Sequence, residues 1–158
     1  MTSADRKRTG SVEGTERLGE RFGRALRAGD VVTLSGPLGA GKTRLVAGLA
    51  RAVAPGSRVR SPSFTLVNEI PGEPWLFHLD LYRLESARDV EGLGLEEYAE
   101  RGALVVEWGE RLPAAWRDDA LAIAIEPGPA DERVLSASAS GARGAELLAA
   151  WRALPEAW

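Results

Sequence analysis

The succession of apolar and polar segments along the 158 residues predicts an α/β fold in which helices flank a mixed β-sheet. Near the N-terminus an amphipathic segment, a run rich in β-branched residues and a second amphipathic segment follow one another, which indicates the order helix, strand, helix. Further apolar runs of strand length come later in the chain. Two extended segments separated by a Pro-Gly turn predict an inserted β-hairpin, so we expect antiparallel as well as parallel strands.

The chain is expected to form one domain over residues 11–158, preceded by a polar and flexible N-terminus at residues 1–10. A first helix is predicted over residues 12–28, because its apolar residues recur at helical spacing with charged residues between them. Ser11 is the expected N-cap of this helix, and Gly29 is its expected C-cap.

A buried strand is predicted at residues 31–35, which are apolar and mostly β-branched. A glycine-rich turn at residues 36–41 leads into a second helix, which ends before Pro55. The other predicted elements are extended segments at 59–70 and 75–84, short helices at 86–92 and 95–101, strands at 103–108, 121–125 and 133–140, and a closing helix at 145–154.

Residues 36–43, Gly-Pro-Leu-Gly-Ala-Gly-Lys-Thr, match the phosphate-loop pattern G-x-x-x-x-G-K-[ST] and lie between a predicted strand and helix, as that motif requires. Backbone amides and a helix N-terminus attract phosphate, Lys42 can reach its oxygens, and Thr43 offers a hydroxyl to Mg²⁺. The alternative is an incidental glycine-rich turn, but Lys42 is one of only two lysines in an arginine-rich chain. The predicted nucleotide contacts here are Gly36, Leu38, Gly39, Ala40, Gly41, Lys42, Thr43 and Arg44. This P-loop predicts an NTPase-like fold.

Two carboxylates end predicted strands, where a P-loop enzyme needs acidic residues. Glu107 is the first choice for the magnesium side, and Asp80 is either the second choice or the residue that orients the attacking water. With Lys42, these form the predicted catalytic set. His78, the only histidine, is expected to be structural rather than catalytic. Arg83 either contacts phosphate or caps the hairpin, and both interpretations stay open.

The composition excludes several classes of function. The chain has no cysteine, which excludes disulfides, thiolate catalysis and cysteine-ligated metals. No apolar run approaches the ~20 residues of a membrane span, and the N-terminus does not resemble a signal peptide, so we expect a cytoplasmic protein without membrane association. A net charge of −3 makes unaided nucleic-acid binding an unfavourable hypothesis.

Other P-loop classes fit less well. The chain has no Asn-Lys-x-Asp motif of the kind that selects guanine in GTPases, so adenine is the preferred base. Small-molecule kinases carry an arginine-rich lid, whereas residues 85–101 are more acidic than basic and are typical of a solvated or protein-docking surface. A small-molecule kinase and a nucleotide-gated binding module without turnover remain the alternatives.

Five segments together resemble the bacterial TsaE family, also called YjeE, the small ATPases of tRNA threonylcarbamoyladenosine biosynthesis. The segments are GPLGAGKT, SPSFTLVNEI, HLDLYRL, GLEEY and VVEWGERLP, and the resemblance covers residues 15–113. The resemblance implies that the loop binds ATP phosphates, that Thr43 and Glu107 hold Mg²⁺, and that Asp80 is needed for turnover. Residues 61–64 resemble a switch-like segment near the γ-phosphate.

The resemblance also implies further contacts and partners. Thr15 and Trp108 would lie near the nucleotide base, and Arg133 would contact the edge of the nucleotide. The implied activity is weak, magnesium-dependent ATP hydrolysis stimulated by the partner proteins TsaB and TsaD, which carry out the transfer to tRNA. This chain would use ATP to reset that pair between cycles and would meet tRNA only through the complex.

Overall fold

The computed structural model describes residues 5–57 and 66–158, and the strands within them form one seven-stranded mixed sheet in the order β1-β7-β6-β2-β5-β4-β3. The pairs of β2 with β5, β2 with β6 and β4 with β5 are parallel, and the outer pairs are antiparallel. The strands are β1 (Arg6–Thr9), β2 (Val31–Ser35), β3 (Val67–Ile70), β4 (Trp75–Asp80), β5 (Gly102–Glu107), β6 (Ala120–Pro127) and β7 (Arg133–Ser140).

Helices cover both faces of the sheet, which confirms the predicted α/β class. They are α1 (Val12–Gly23), α2 (Lys42–Val53), α3 (Ala87–Glu91), α4 (Leu95–Arg101), α5 (Ala114–Arg117) and α6 (Gly141–Arg152), with a 3₁₀ helix at Gly109–Arg111. Successive residues of a strand point to opposite faces, so Val32 and Leu34 pack with α1, α2 and α6, whereas Val31 packs with α3 and α4. Among the described residues, no helix has the length and apolar character needed to cross a membrane.

The predicted hairpin is confirmed for the residues that the structure describes. β3 pairs antiparallel with β4 at the edge of the sheet, and β4 continues parallel to β5. The return strand ends at Asp80 rather than at residue 84. Residues 59–65 of the predicted extended segment lie outside the described residues.

The predicted first helix begins where expected and ends early. The Ser11 side chain accepts a hydrogen bond from the Gly14 amide at 2.9 Å, which confirms the N-cap. The helix ends at Gly23, so Gly29 is not its C-cap. The early end follows from the Asp30 carboxylate, which accepts from the Arg27 amide at 2.7 Å and closes a turn in place of further helix.

Residues 6–9 form strand β1, which differs from the expectation of a flexible N-terminus. The strand pairs with β7, and the side chains of Asp5 and Lys7 hold it against the C-terminal part of the chain. Lys7 is fully buried and donates to the Leu154 carbonyl at 2.7 Å, and Asp5 pairs with Arg152 at 2.5 Å. Burial lowers the pKa of the Lys7 ammonium below its ordinary value, and the carboxylates of Glu156 and Asp5 oppose that shift.

Helices α1 and α2 approach each other closely because glycines lie between them. A Cβ on Gly48 would lie 2.1 Å from the Glu16 carbonyl oxygen, and one on Gly19 would lie 2.5 Å from the Leu45 carbonyl oxygen. Both obstacles are backbone atoms, which cannot turn aside as a side chain can. The close contact fixes the position of α2, and therefore the position of its first residues, which follow the phosphate loop.

We therefore expect Gly48→Ala to lower the free energy of unfolding by roughly 2–3 kcal/mol, although alanine favours a helix by about 1 kcal/mol. The methyl group has to push α1 away from α2. Urea unfolding monitored by circular dichroism measures the change. Gly92→Ala is the matched control, because its Cβ would lie 3.5 Å from the nearest neighbour, and its effect should stay within about 0.5 kcal/mol. Equal stability of Gly48→Ala and the unsubstituted chain would contradict the close packing.

Candidate functional site

A cavity of about 500 Å³ opens at the carboxyl ends of the parallel strands β2, β4 and β5. This is the edge at which α/β sheets bind ligands. Every predicted site residue except Gly36 lines the cavity, namely Thr15, Leu38, Gly39, Ala40, Gly41, Lys42, Thr43, Arg44, Asp80, Glu107, Trp108 and Arg133. The fold thus brings together residues from five separate stretches of sequence.

The loop between β2 and α2 has a shape that only glycine permits at two positions. Gly36 has φ +143°, and a Cβ there would lie 2.4 Å from the Ile125 carbonyl oxygen, so Gly36 supports the loop from behind. Gly41 has φ +106° and precedes the first residue of α2, Lys42. The first residues of α2 line the cavity, and because the amides of a helix's first turn have no partner within the helix, this end favours an anion.

Lys42, the first residue of α2, is buried beneath this loop. Its ammonium donates to the carbonyl oxygens of Gly36 at 2.5 Å and Pro37 at 3.3 Å, and it lies 4.4 Å from the ring centre of Trp108. Two carbonyls and an aromatic face all stabilise a cation. The positive charge is therefore held at the loop, within reach of any anion to which the amides donate hydrogen bonds.

Thr43 and Glu107 meet at the start of α2 and the end of β5. The Thr43 hydroxyl donates to Glu107 Oε2 at 3.4 Å, and Glu107 is only 4% exposed. A hydroxyl and a carboxylate are oxygen donors of the kind that Mg²⁺ prefers. In the part of the chain that the structure describes, no group of three or more His, Cys, Asp or Glu side chains is arranged to hold a metal. A magnesium ion here would take its other ligands from phosphates and water, as Mg²⁺ commonly does.

Asp80 and Glu107 are partners in register across the parallel strands β4 and β5. Both are the last residues of their strands, so their side chains lie at the same edge of the sheet. Asp80 is only partly buried, and its Oδ1 accepts from the Tyr82 amide at 3.0 Å, which fixes the carboxylate against the following turn. The predicted pair of strand-end acids is thus adjacent in space.

Arg133 reaches the phosphate loop from β7. Its Nε donates to the Ala40 carbonyl oxygen at 2.9 Å, and its Nη2 donates to that of Gly39 at 3.5 Å. Thr15, on α1, is buried and shares a hydroxyl hydrogen bond of 2.7 Å with Thr9. Both residues line the cavity, and Arg133 in addition holds the outer side of the loop.

The family model "Threonylcarbamoyl adenosine biosynthesis protein TsaE" matches residues 9–135, which is most of the chain. The chain belongs to the TsaE family. The protein named tRNA threonylcarbamoyladenosine biosynthesis protein TsaE from Nostoc is 47% identical over 107 residues, which cover 64% of this chain and 65% of that protein. The protein of the same name from Bacillus subtilis is 36% identical over 138 residues, which cover 86% of each.

A solved structure agrees with the fold of this TsaE family member. The crystal structure of Bacillus subtilis YdiB superposes with a TM-score of 0.74 at 32% sequence identity, covering 92% of each chain. The P-loop NTPase-like fold class is therefore confirmed. The match to the first relatives is shorter, since it spans just under two thirds of the Nostoc protein and 66% of the Mycobacterium bovis protein.

Tyr82 lines the cavity of this TsaE family member and was missed as a site residue, as were Ser11, Val12, Leu66 and Asp131, whereas Arg111 supports the turn of Tyr82 from outside the cavity lining. Arg111 donates through Nη1 to the carbonyl oxygens of Leu81 and Leu84 at 3.2 and 3.1 Å, and Tyr82 lies 5.2 Å from Trp108 between ring centres. Arg111 thereby ties the turn after β4 to the segment after β5. Tyr82 and Arg111 lie inside the segments HLDLYRL and VVEWGERLP, but nothing in their spacing indicates the contact.

The remaining predictions have mixed outcomes. Arg44 lines the cavity and pairs with Glu16 at 3.6 Å, and Arg83 lines the cavity on the turn after β4. His78 is fully buried and hydrogen-bonded to Glu107, outside the cavity lining. The switch-like segment at residues 61–64 lies outside the described residues.

Proposed function

We propose that this chain binds ATP with Mg²⁺, hydrolyses it, and acts in tRNA threonylcarbamoyladenosine biosynthesis. Family membership and the names of the relatives support the pathway. The observation that most supports the proposed ATPase activity is that the loop of residues 36–43 and the strand-end carboxylates Asp80 and Glu107 line the same cavity.

ATP binding is proposed to rest on the loop and on the start of α2. The amides at the start of α2 would donate hydrogen bonds to phosphate oxygens, and Lys42 would neutralise the charge of those oxygens. A volume of about 500 Å³ lies within the usual range for small-molecule sites. Thr15 and Trp108 are proposed to lie near the base. The remaining predicted residues of the loop, together with Arg44 and Arg133, are proposed either to contact the nucleotide or to hold the loop around it.

Magnesium is proposed to be held by Thr43 and Glu107, whose oxygens already face each other at 3.4 Å. When bound, the ion would neutralise negative charge on the phosphate oxygens. Glu107 is 4% exposed, and a carboxylate so far from water is costly unless cations or hydrogen-bond donors surround it. The position of this buried acid beside the P-loop hydroxyl supports a metal-facing role.

Hydrolysis is proposed to depend on orientation and charge rather than on a covalent intermediate. Asp80, fixed by the Tyr82 amide and exposed toward the cavity, would accept a hydrogen bond from the attacking water and orient it. Lys42 and the loop amides would stabilise the charge that develops on the transferred phosphoryl group. Turnover by the isolated chain is expected to be slow, with a partner completing the site.

We further propose that the partners are TsaB and TsaD and that ATP hydrolysis resets their complex between cycles. tRNA would be bound by the complex and not by this chain, whose net charge is −3. A tRNA-modifying role would place the chain in the cytoplasm.

The test is steady-state phosphate release from ATP and Mg²⁺ by the chain alone, by TsaB with TsaD, and by all three together. We expect a rate for the three proteins that clearly exceeds the sum of the separate rates. Lys42→Ala in the mixture controls for hydrolysis by the partners. A rate equal to the sum would contradict the proposed partners, and a Lys42→Ala mixture that still exceeds the rate of TsaB with TsaD alone would contradict the proposed site.

A further inference from the structure

We propose that His78 is a positioning residue that fixes the carboxylate of Glu107 for its role beside Mg²⁺. This inference rests on the proposed function. His78 lies within β4, is fully buried, and is the only histidine of the chain. Its Nε2 lies 2.5 Å from Glu107 Oε2, whereas the residue itself does not line the cavity. Any effect of His78 on a ligand therefore passes through Glu107.

The two ring nitrogens of His78 have different surroundings. An ionised carboxylate can only accept hydrogen bonds, so the Nε2 atom that faces Glu107 carries a hydrogen. Within the described residues, the buried Nδ1 has no hydrogen-bond partner. The contact on which the proposal rests is therefore the hydrogen bond from Nε2 to Glu107.

The same Glu107 oxygen receives two donors. Oε2 accepts from His78 at 2.5 Å and from Thr43 at 3.4 Å, one from the interior of the sheet and one from the start of α2. The shorter contact comes from the strand, which is a rigid element. His78 thus fixes the orientation of the carboxylate, while Thr43 and the other carboxylate oxygen are left to face the metal.

A purely structural role for His78 predicts different behaviour in a pair of variants. His78→Leu keeps an apolar side chain in the interior but removes the donor, and His78→Gln keeps an N–H donor at a similar distance from the backbone. The readout is the affinity for an uncleavable ATP analogue, measured by calorimetry over a series of Mg²⁺ concentrations. Calorimetry without Mg²⁺ measures the part of binding that does not need Glu107.

We expect His78→Leu to raise the half-saturating Mg²⁺ concentration roughly tenfold or more, since loss of a residue that orients a metal ligand commonly costs 10–100-fold. His78→Gln should recover most of the loss, and binding without Mg²⁺ should change little in both variants. An unchanged Mg²⁺ dependence in His78→Leu, or equal impairment of both variants, would overturn the proposal.

A second measurement needs neither nucleotide nor metal and separates this proposal from the proposed function. Because the chain has one histidine, ¹⁵N-histidine NMR of protein without a histidine tag reports His78 alone. We expect hydrogen on Nε2, with a marked shift of the Nε2 resonance in Glu107→Ala. An Nε2 without hydrogen, or an Nε2 resonance that is unchanged in Glu107→Ala, would overturn the proposal even if ATP binds. The expected spectrum combined with no ATP binding would leave the contact intact and refute the proposed function instead.

Discussion

Lys42→Ala is expected to weaken ATP binding by roughly a hundredfold, which corresponds to about 3 kcal/mol. The substitution removes the cation held at the phosphate loop. It also removes two hydrogen bonds to the carbonyls of Gly36 and Pro37 and the contact with the ring of Trp108, so the loop itself loses support. Calorimetric titration with an uncleavable ATP analogue in the presence of Mg²⁺ measures the loss.

Arg51→Ala provides the control for charge removed from the same helix. Arg51 lies in the last turn of α2, pairs with Glu16 at 2.7 Å and does not line the cavity. Arg51→Ala removes one positive charge, as Lys42→Ala does, but from the end of α2 that is far from the loop. ATP affinity should therefore change less than about threefold. ATP binding by Lys42→Ala with the affinity of the unsubstituted chain would contradict a phosphate site at this loop.

Asp80→Ala is expected to lower the rate of ATP hydrolysis in the complete complex by roughly a hundredfold or more, while ATP affinity changes only a few-fold. Asp80 lies beside Glu107 in register, and within residues 5–57 and 66–158 its side chain bonds to its own turn, through the Tyr82 amide at 3.0 Å. Its carboxylate is therefore available to orient water. Phosphate release under saturating ATP, together with the affinity measured by calorimetry, separates the two effects.

Asp80→Asn is the matched variant for this test. The asparagine oxygen can still accept from the Tyr82 amide and preserve the turn, but the negative charge is lost. We expect Asp80→Asn to resemble Asp80→Ala in rate and the unsubstituted chain in thermal stability. Undiminished hydrolysis in Asp80→Ala would exclude the residue from turnover, and intact complex function without hydrolysis would favour a nucleotide-gated binding module.

The sequence predicts those parts of the fold that depend on local patterns. Strand β2 has the predicted bounds, since an apolar β-branched run next to a glycine-rich loop has few alternatives. The sequence does not predict β1, because its residues are polar and charged. In the structure Lys7 is fully buried, and its ammonium donates to the Leu154 carbonyl. A lysine in a polar stretch gives no sign of a partner that is distant in sequence.

In the site, too, the residues that a local pattern identifies could be predicted, and the contacts between distant segments could not. Lys42, Thr43 and Glu107 could be predicted, because a motif or a strand end identifies each of them in the sequence. The contacts of Arg111 with the turn after β4 and of Arg133 with the loop could not, because each joins segments that only the folded sheet brings together. Trp108 has φ +59°, a conformation that its sequence neighbours do not indicate.

A crystal structure of this chain with an uncleavable ATP analogue and Mg²⁺ tests the central claim most directly. The account predicts the triphosphate in the loop, with oxygens bonded to the amides at the start of α2 and to Lys42, and Mg²⁺ between Thr43, Glu107 and the phosphates. Asp80 should face the γ-phosphate across a water molecule. An analogue bound elsewhere, or a metal that contacts neither Thr43 nor Glu107 directly or through water, would contradict the account.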